Sequence, residues 1–236
     1  MNVQMEERLA VANTLREQEK FSESAARYTD CLIDLADTQD WQGLIHCLGG
    51  QSLIYKILSS RNGSPVYNAL TISFAKEAYE IAEQNKDILD GNTLAVAYRV
   101  YGDALLTVGD TESALPLFQN AYNISIAGIA EKGMLKAHIG GIKYLLGDKP
   151  EGIMTIKEAL EEIRQGDMAD YTVRVWETGA LNKLAQMYSE EGDFPLALSY
   201  VEEALSIAKN HSLTIREKES QKLFDKISSG QTGKQI

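Results

Sequence analysis

One spacing recurs along this chain and limits what it can fold into. In Gly102, Gly109-Asp110, Ala114-x3-Phe118-x2-Ala121, a small residue is followed twelve positions later by another, with a Gly-Asp pair between them. Ala185, Gly192-Asp193, Ala197-x3-Val201-x2-Ala204 repeats the arrangement. The same step of twelve joins Ala12 to Ser24 and Gly140 to Gly152, the latter around Gly147-Asp148. Self-similarity at a fixed period is the signature of a repeat architecture. Glycine ends one helix in the left-handed conformation, and aspartate caps the free N–H groups of the next. Pro150 and Pro195 fall in the first turn of the helices that follow, where a missing N–H costs least, and Pro116 falls early in its helix. Asp148 with Glu151 three residues on reads as a variant of the capping box.

Apolar residues recur at three and four almost throughout, as in Leu181, Leu184, Ala185 and Tyr188, and the alternation by two that marks strands is absent. The pattern predicts helices at about 3–18, 22–38, 41–59, 67–86, 91–107, 111–128, 132–146, 150–164, 170–190, 194–209 and 214–228. They group into five units (3–38, 41–86, 91–128, 132–164, 170–209) and a cap at 214–228 within a single domain of residues 1–229, followed by a flexible tail at 230–236. The cap suits a stacked array, whose last repeat has no neighbour and needs a polar outer face. The second unit breaks the rule, since Gly50 to Ala75 spans 25 positions and so holds 13 extra residues. Arg61-Asn62-Gly63-Ser64-Pro65 is the strong breaker cluster there, and the insertion is placed around Arg61–Tyr67 as a lengthened turn with extended helix ends.

The small residues have a mechanical role, because two helices approach closely only where a side chain is nearly absent. The large residues after them (Tyr28, Tyr79, Phe118, Ile156, Val201) fill the space between neighbouring pairs. This in-phase recurrence resembles the tetratricopeptide repeat (TPR) family in a long-period variant. Gly102/Ala114/Phe118/Ala121 matches that family's signature best, followed by Ala12/Ser24/Tyr28/Cys31 and Gly50/Ala75/Tyr79/Ala82. Gly140/Gly152/Ile156/Ala159 is degenerate. The resemblance implies an all-α, right-handed α-solenoid of about five helix pairs with a C-terminal capping helix.

It also implies a function in protein binding. In the family, first helices line a concave groove that receives a peptide or a partner's segment. Projection places Leu9, Asn13, Arg16 and Glu17 of the first unit there, with Cys47, Gln51, Ile54 and Tyr55 of the second. Arg99, Asp103 and Leu106 follow, then His138, Gly141, Tyr144 and Leu145, then Asn182, Lys183, Gln186 and Ser189. Members that grip a terminal carboxylate use a lysine and an asparagine one turn apart in the first repeat. Here Asn13 is present but Leu9 takes the lysine's place, so that grip is not predicted. Asn13, Gln51, Asn182 and Gln186 suit a polar backbone because they donate and accept at once, while Arg16 and Arg99 select charge. The leading expectation is a scaffold or adaptor, and self-association would be a further use of the same surface. A sensor for a small molecule or short signalling peptide, with the insertion as a lid, is the alternative.

Charge and motif content narrow the field. A net charge of -11 repels nucleic acid and anionic membranes. No apolar stretch reaches the ~18 residues of a membrane span, and the N-terminus lacks a signal-peptide core, which predicts a cytoplasmic protein. Cys31 and Cys47 lie within helical patterns and are read as reduced and inert. His46, His138 and His211 lie apart and lack partners at ligand spacing, so no metal or other cofactor is expected. Gly49-Gly50 and Gly140-Gly141 follow no strand and precede no Lys-Ser/Thr. They permit close helix crossing or leave space in the groove. Trp41 and Trp176 are read as core packing. A helical enzyme is a remote third alternative, because no triad, metal cluster or cofactor motif appears.

Overall fold

The computed structural model describes residues 3–230. Within them are eleven α-helices: α1 (Val3–Glu17), α2 (Phe21–Leu35), α3 (Trp41–Asn62), α4 (Pro65–Gln84), α5 (Gly91–Thr107), α6 (Thr111–Ile124), α7 (Ile129–Leu145), α8 (Lys149–Ile163), α9 (Tyr171–Glu190), α10 (Phe194–Asn210) and α11 (Thr214–Ser228). They make five sequential antiparallel pairs, and α11 packs on α9 and α10. The chain divides into two compact units, Met1–Ile126 with α1–α6 and Ala127–Ile236 with α7–α11. No helix among the described residues is long and apolar enough to cross a membrane. Of the predicted tail, residues 231–236 lie outside the described residues.

Gly109, Gly147 and Gly192 all have positive φ (83°, 100° and 83°), the region where a Cβ is penalised. After each, the aspartate N–H reaches back to close the preceding helix, at 3.0 Å (Asp110 to Leu105), 3.0 Å (Asp148 to Lys143) and 2.9 Å (Asp193 to Tyr188). The Asp110 and Asp193 carboxylates then accept from Ser113 and Leu196, each at 3.2 Å. The third turn differs from expectation, because the Asp148 side chain makes no cap hydrogen bond. Glu151 reaches Lys143 at 3.0 Å instead of closing a capping box. Replacing Asp193 with alanine is expected to cost about 1 kcal/mol. The same change at Asp148 should cost clearly less, and thermal unfolding of the two variants side by side checks the difference.

Small residues set the crossings. A Cβ on Gly152 would stand 2.7 Å from the Gly140 carbonyl oxygen, and one on Gly133 would stand 2.8 Å from that of Ala159. Thus α7 and α8, the degenerate unit by sequence, pack backbone against backbone. The large residues occupy gaps left by glycine: Phe118 lies over Gly102 and Ile156 over Gly140. Tyr79 instead meets α5, edge-on to Tyr98 at 5.3 Å and stacked on Tyr101 at 5.0 Å. Trp176 packs against the core of the second unit.

The insertion extends the helix ends as expected but does not lengthen the turn. α3 runs 22 residues and α4 runs 20, and Gly63-Ser64 alone separates them. The added residues therefore lengthen both helices, and the turn stays tight. Gly63 (φ 63°) closes α3, and Pro65 opens α4 at a position that needs no N–H.

Candidate functional site

The first unit contains a recess of about 340 Å³ lined chiefly by first helices. α1 contributes Glu6, Leu9, Ala10, Asn13 and Arg16, spaced by three and four along one face. α3 contributes His46, Gly49, Gly50, Ser52, Leu53 and Lys56, and α5 contributes Val96, Arg99, Val100 and Asp103. α3 packs against both α1 and α5 and so forms the floor of a trough. The helices run in one direction. Gly49 faces Val100 and Lys56 faces Asp103, while Arg61 pairs with Glu19 just beyond the end of α1 at 2.6 Å.

Tyr28 of α2 also reaches the trough, and Gly50 is the reason. A Cβ on Gly50 would lie 2.2 Å from the Tyr28 ring, so only glycine leaves room for that ring to pass beneath α3. The Tyr28 hydroxyl donates to Asn13 Oδ1 at 2.6 Å and accepts from Arg16 at 2.9 Å. Arg16 also donates to Asn13 Oδ1 at 2.8 Å and to Glu17 at 3.0 Å. Burial pushes the Tyr28 phenol up to about 12, so it stays protonated and keeps its donor role. With Oδ1 holding two donors, Asn13 has its amide N–H groups left to offer a ligand.

Lys56 and Arg99 converge on Asp103, at 2.7 Å and 3.7 Å. The Asp103 side chain is 11% exposed and holds two cations, from α3 and α5, side by side. At the opposite end, burial first and the Arg99 charge second push the His46 imidazole below its usual range. The unfolded chain therefore binds the His46 proton at higher pH than the folded chain. Stability from this group is complete above its unfolded value near 6.5 and declines as pH falls toward the lower folded value. His46→Gln is expected to flatten the stability profile below pH 6.5, as read by urea midpoints across pH.

Of the residues predicted to bind a partner, the trough gathers Asn13, Arg16, Arg99 and Asp103. Gln51 and Tyr55 do not line it. Gln51 is buried and donates to the Ala25 carbonyl at 2.8 Å and to Thr29 at 2.9 Å, both on α2. Tyr55 turns toward α4 and stacks on Phe74 at 5.7 Å and on Tyr67 at 6.1 Å. Cys47, projected to the groove, is fully buried in the cluster with Tyr28 and Cys31, and burial pushes its thiol up to about 12. The projected face of α3 is rotated from the observed one because it makes Gly50 the small residue facing α4. Gly50 faces α2, while Ser52 makes the contact with α4, donating to the Thr71 carbonyl at 3.0 Å. Projection therefore misses Lys56, His46 and Leu53. The run Gly49, Gly50, Leu53, Lys56, spaced at three and four, is the available signal.

The remaining five predicted residues belong to the second unit. Lys183 of α9 lies across Gly141 of α7, with Cδ 3.8 Å from where a Cβ would stand. Asn182 accepts from Ser220 of α11 at 3.0 Å, and Gln186 is exposed and donates to Glu190 at 2.9 Å. His138 is half-buried on α7. Tyr144 is buried, and its hydroxyl donates to Glu191 at 2.9 Å, so its ring is core and not groove surface.

Antiparallel helix pairs, closed by glycine turns and crossed at small residues, define a helical-repeat protein. Residues 180–212, across α9 and α10, match the tetratricopeptide repeat family model. Solved structures agree over nearly the whole chain. A Rap protein complexed with competence and sporulation factor is 16% identical with a TM-score of 0.70, covering 94% of this chain and 63% of that one. The apo form of RapI is 15% identical with a TM-score of 0.62, covering 99% and 78%. A thermophilic TPR protein of Thermus thermophilus is 15% identical with a TM-score of 0.61, covering 92% and 98%. The chain thus spans somewhat less than two thirds of that Rap chain. Comparison with curated protein sequences found no match. The chain has the fold of the tetratricopeptide-repeat proteins, and its α9–α10 segment matches their family model.

Proposed function

We propose that the protein is a non-catalytic binding module that holds a peptide or a partner's segment against its first helices, with the trough of the first unit as the seat. The observation behind this reading is the trough itself, with a glycine-lowered floor, apolar residues at mid-length and the donors Asn13, Lys56 and Arg99 within one recess. The Rap protein, of like fold, is complexed with competence and sporulation factor, which supports a binding role for this fold here. The test is selection from a random heptapeptide library. Wild type should enrich a family of sequences, and Arg99→Gln should lose most of that enrichment with an unchanged Tm. Equal enrichment by both proteins would remove the trough from the binding surface.

A small-molecule sensor is the second reading, favoured by the recess volume of about 340 Å³, which lies in the range of small-ligand pockets. It has lost its lid, since Gly63-Ser64 is a two-residue turn. The free, buried thiols of Cys31 and Cys47 suit a reducing compartment, and we place the protein in the cytoplasm as an adaptor or scaffold. Self-association through the same surface would appear as a concentration-dependent mass in light scattering.

A further inference from the structure

The charges of the trough are separated along its length. Glu6 lies toward the start of α1, and Arg16 lies ten residues on. On α3 the same ten-residue step leads from His46 to Lys56, and Arg99 stands with Lys56 at Asp103. At the first end Glu6 is the lining carboxylate, and burial, then the Arg99 charge, lower the His46 pKa there. At the second end, Arg16 with Glu17 and Lys56 with Asp103 each balance, which leaves Arg99 as the surplus cation. Arg99 is 3.7 Å from Asp103, longer than a hydrogen bond, so its guanidinium has donors to spare. Between the ends lie Leu9, Leu53 and Val100.

We propose that the trough recognises a dipolar peptide segment. Its basic group lies toward Glu6, its apolar residue lies over Leu53, and its carboxylate is received by Arg99 and Lys56. Asp103 acts as a positioning residue that holds these two cations together. The inference rests on the peptide-binding reading above and adds the ligand's charge order and span. Ten helical residues cover about 15 Å. An extended peptide advances about 3.4 Å per residue, so the two charges sit about four residues apart. A carboxylate at that point can come from an acidic side chain or from a free C-terminus, and the basic group from lysine, arginine or a free N-terminus.

The test uses synthetic pentapeptides and NMR titration of the labelled protein. Blocked Lys-Ala-Leu-Ala-Glu is compared with blocked Gln-Ala-Leu-Ala-Gln, Lys-Ala-Leu-Ala-Lys and Glu-Ala-Leu-Ala-Glu. Unblocked Ala-Ala-Leu-Ala-Ala, whose termini alone are charged, distinguishes the two sources. The dipolar peptide is expected to bind about fivefold more tightly than either uniformly charged one, the ratio for one charge pair worth about 1 kcal/mol. High salt should erase the preference. Glu6→Lys, a change at an exposed site, should reverse the order in favour of the doubly acidic peptide. Arg99→Gln should remove discrimination at the acidic end. Equal affinity for all peptides, with shifts at trough residues, would overturn the charge polarity and leave the peptide-binding reading standing. Absence of shifts in the trough with every peptide would overturn both.

Discussion

Replacing Glu177 with alanine is expected to destabilise the second unit by about 3–5 kcal/mol, the usual result of removing one member of a buried ion pair. Glu177 of α9 is 3% exposed. One carboxylate oxygen accepts from Arg164 Nε, just past α8, at 2.9 Å, and the other accepts from Arg174 at 2.9 Å. Arg164 continues to Glu203 of α10, so the network joins the end of α8 to α9 and α10. Alanine would leave two guanidinium groups crowded together with much of their hydration gone. For a chain of this size the loss corresponds to a Tm about 6–20 °C lower. Glu177→Gln keeps the acceptor and loses the charge, so its loss should be smaller. A Glu177→Ala variant that melts within about 2 °C of wild type would show that water already screens the network.

Replacing Gly50 with alanine is expected to cost about 1–3 kcal/mol and to abolish peptide binding in the trough. Alanine is normally favoured over glycine within a helix by ~1 kcal/mol, so a net loss would identify the steric cause. The added methyl would stand 2.2 Å from the Tyr28 ring and 2.7 Å from its hydroxyl oxygen. That ring cannot swing aside cheaply, because it is 1% exposed and tied to Asn13 and Arg16. Displacing it breaks the hydrogen bonds that aim Asn13 into the trough. Gly50→Ala combined with Tyr28→Leu should recover stability and leave binding lost. Gly49→Ala is the control: its methyl would meet Val100 at 3.2 Å, a contact that a few tenths of an ångström relieves. Thermal unfolding and peptide titration of the three variants separate the effects. Full binding by Gly50→Ala would exclude Tyr28 from the site.

Much of the helical layout was legible because its signals are local. The turns at Gly109, Gly147 and Gly192 depend on a few adjacent residues, as do the aspartate caps at Asp110 and Asp193. The trough was legible on α1 and α5, where Asn13, Arg16, Arg99 and Asp103 lie as projected from Ala12 and Gly102. It was not legible on α3. There, two more residues of similar size, Gly49 and Ser52, compete with Gly50 as the crossing point, and each faces a different helix. A spacing rule ranks residues by size and cannot rank them by neighbour. Asp148 shows the same limit, since a lysine on the preceding helix took the glutamate that a capping box needs.

The order of helices, the tight glycine turns and the pairing of successive helices were determined by the sequence alone, because each follows from propensity and contacts between chain neighbours. The identity of the trough was decided by the tertiary structure. Tyr28 meets Gly50 across 22 residues, and Lys56 meets Asp103 across 47. The rotation of α3 that permits both contacts is set by how three helices share their grooves, and no short stretch of chain encodes it.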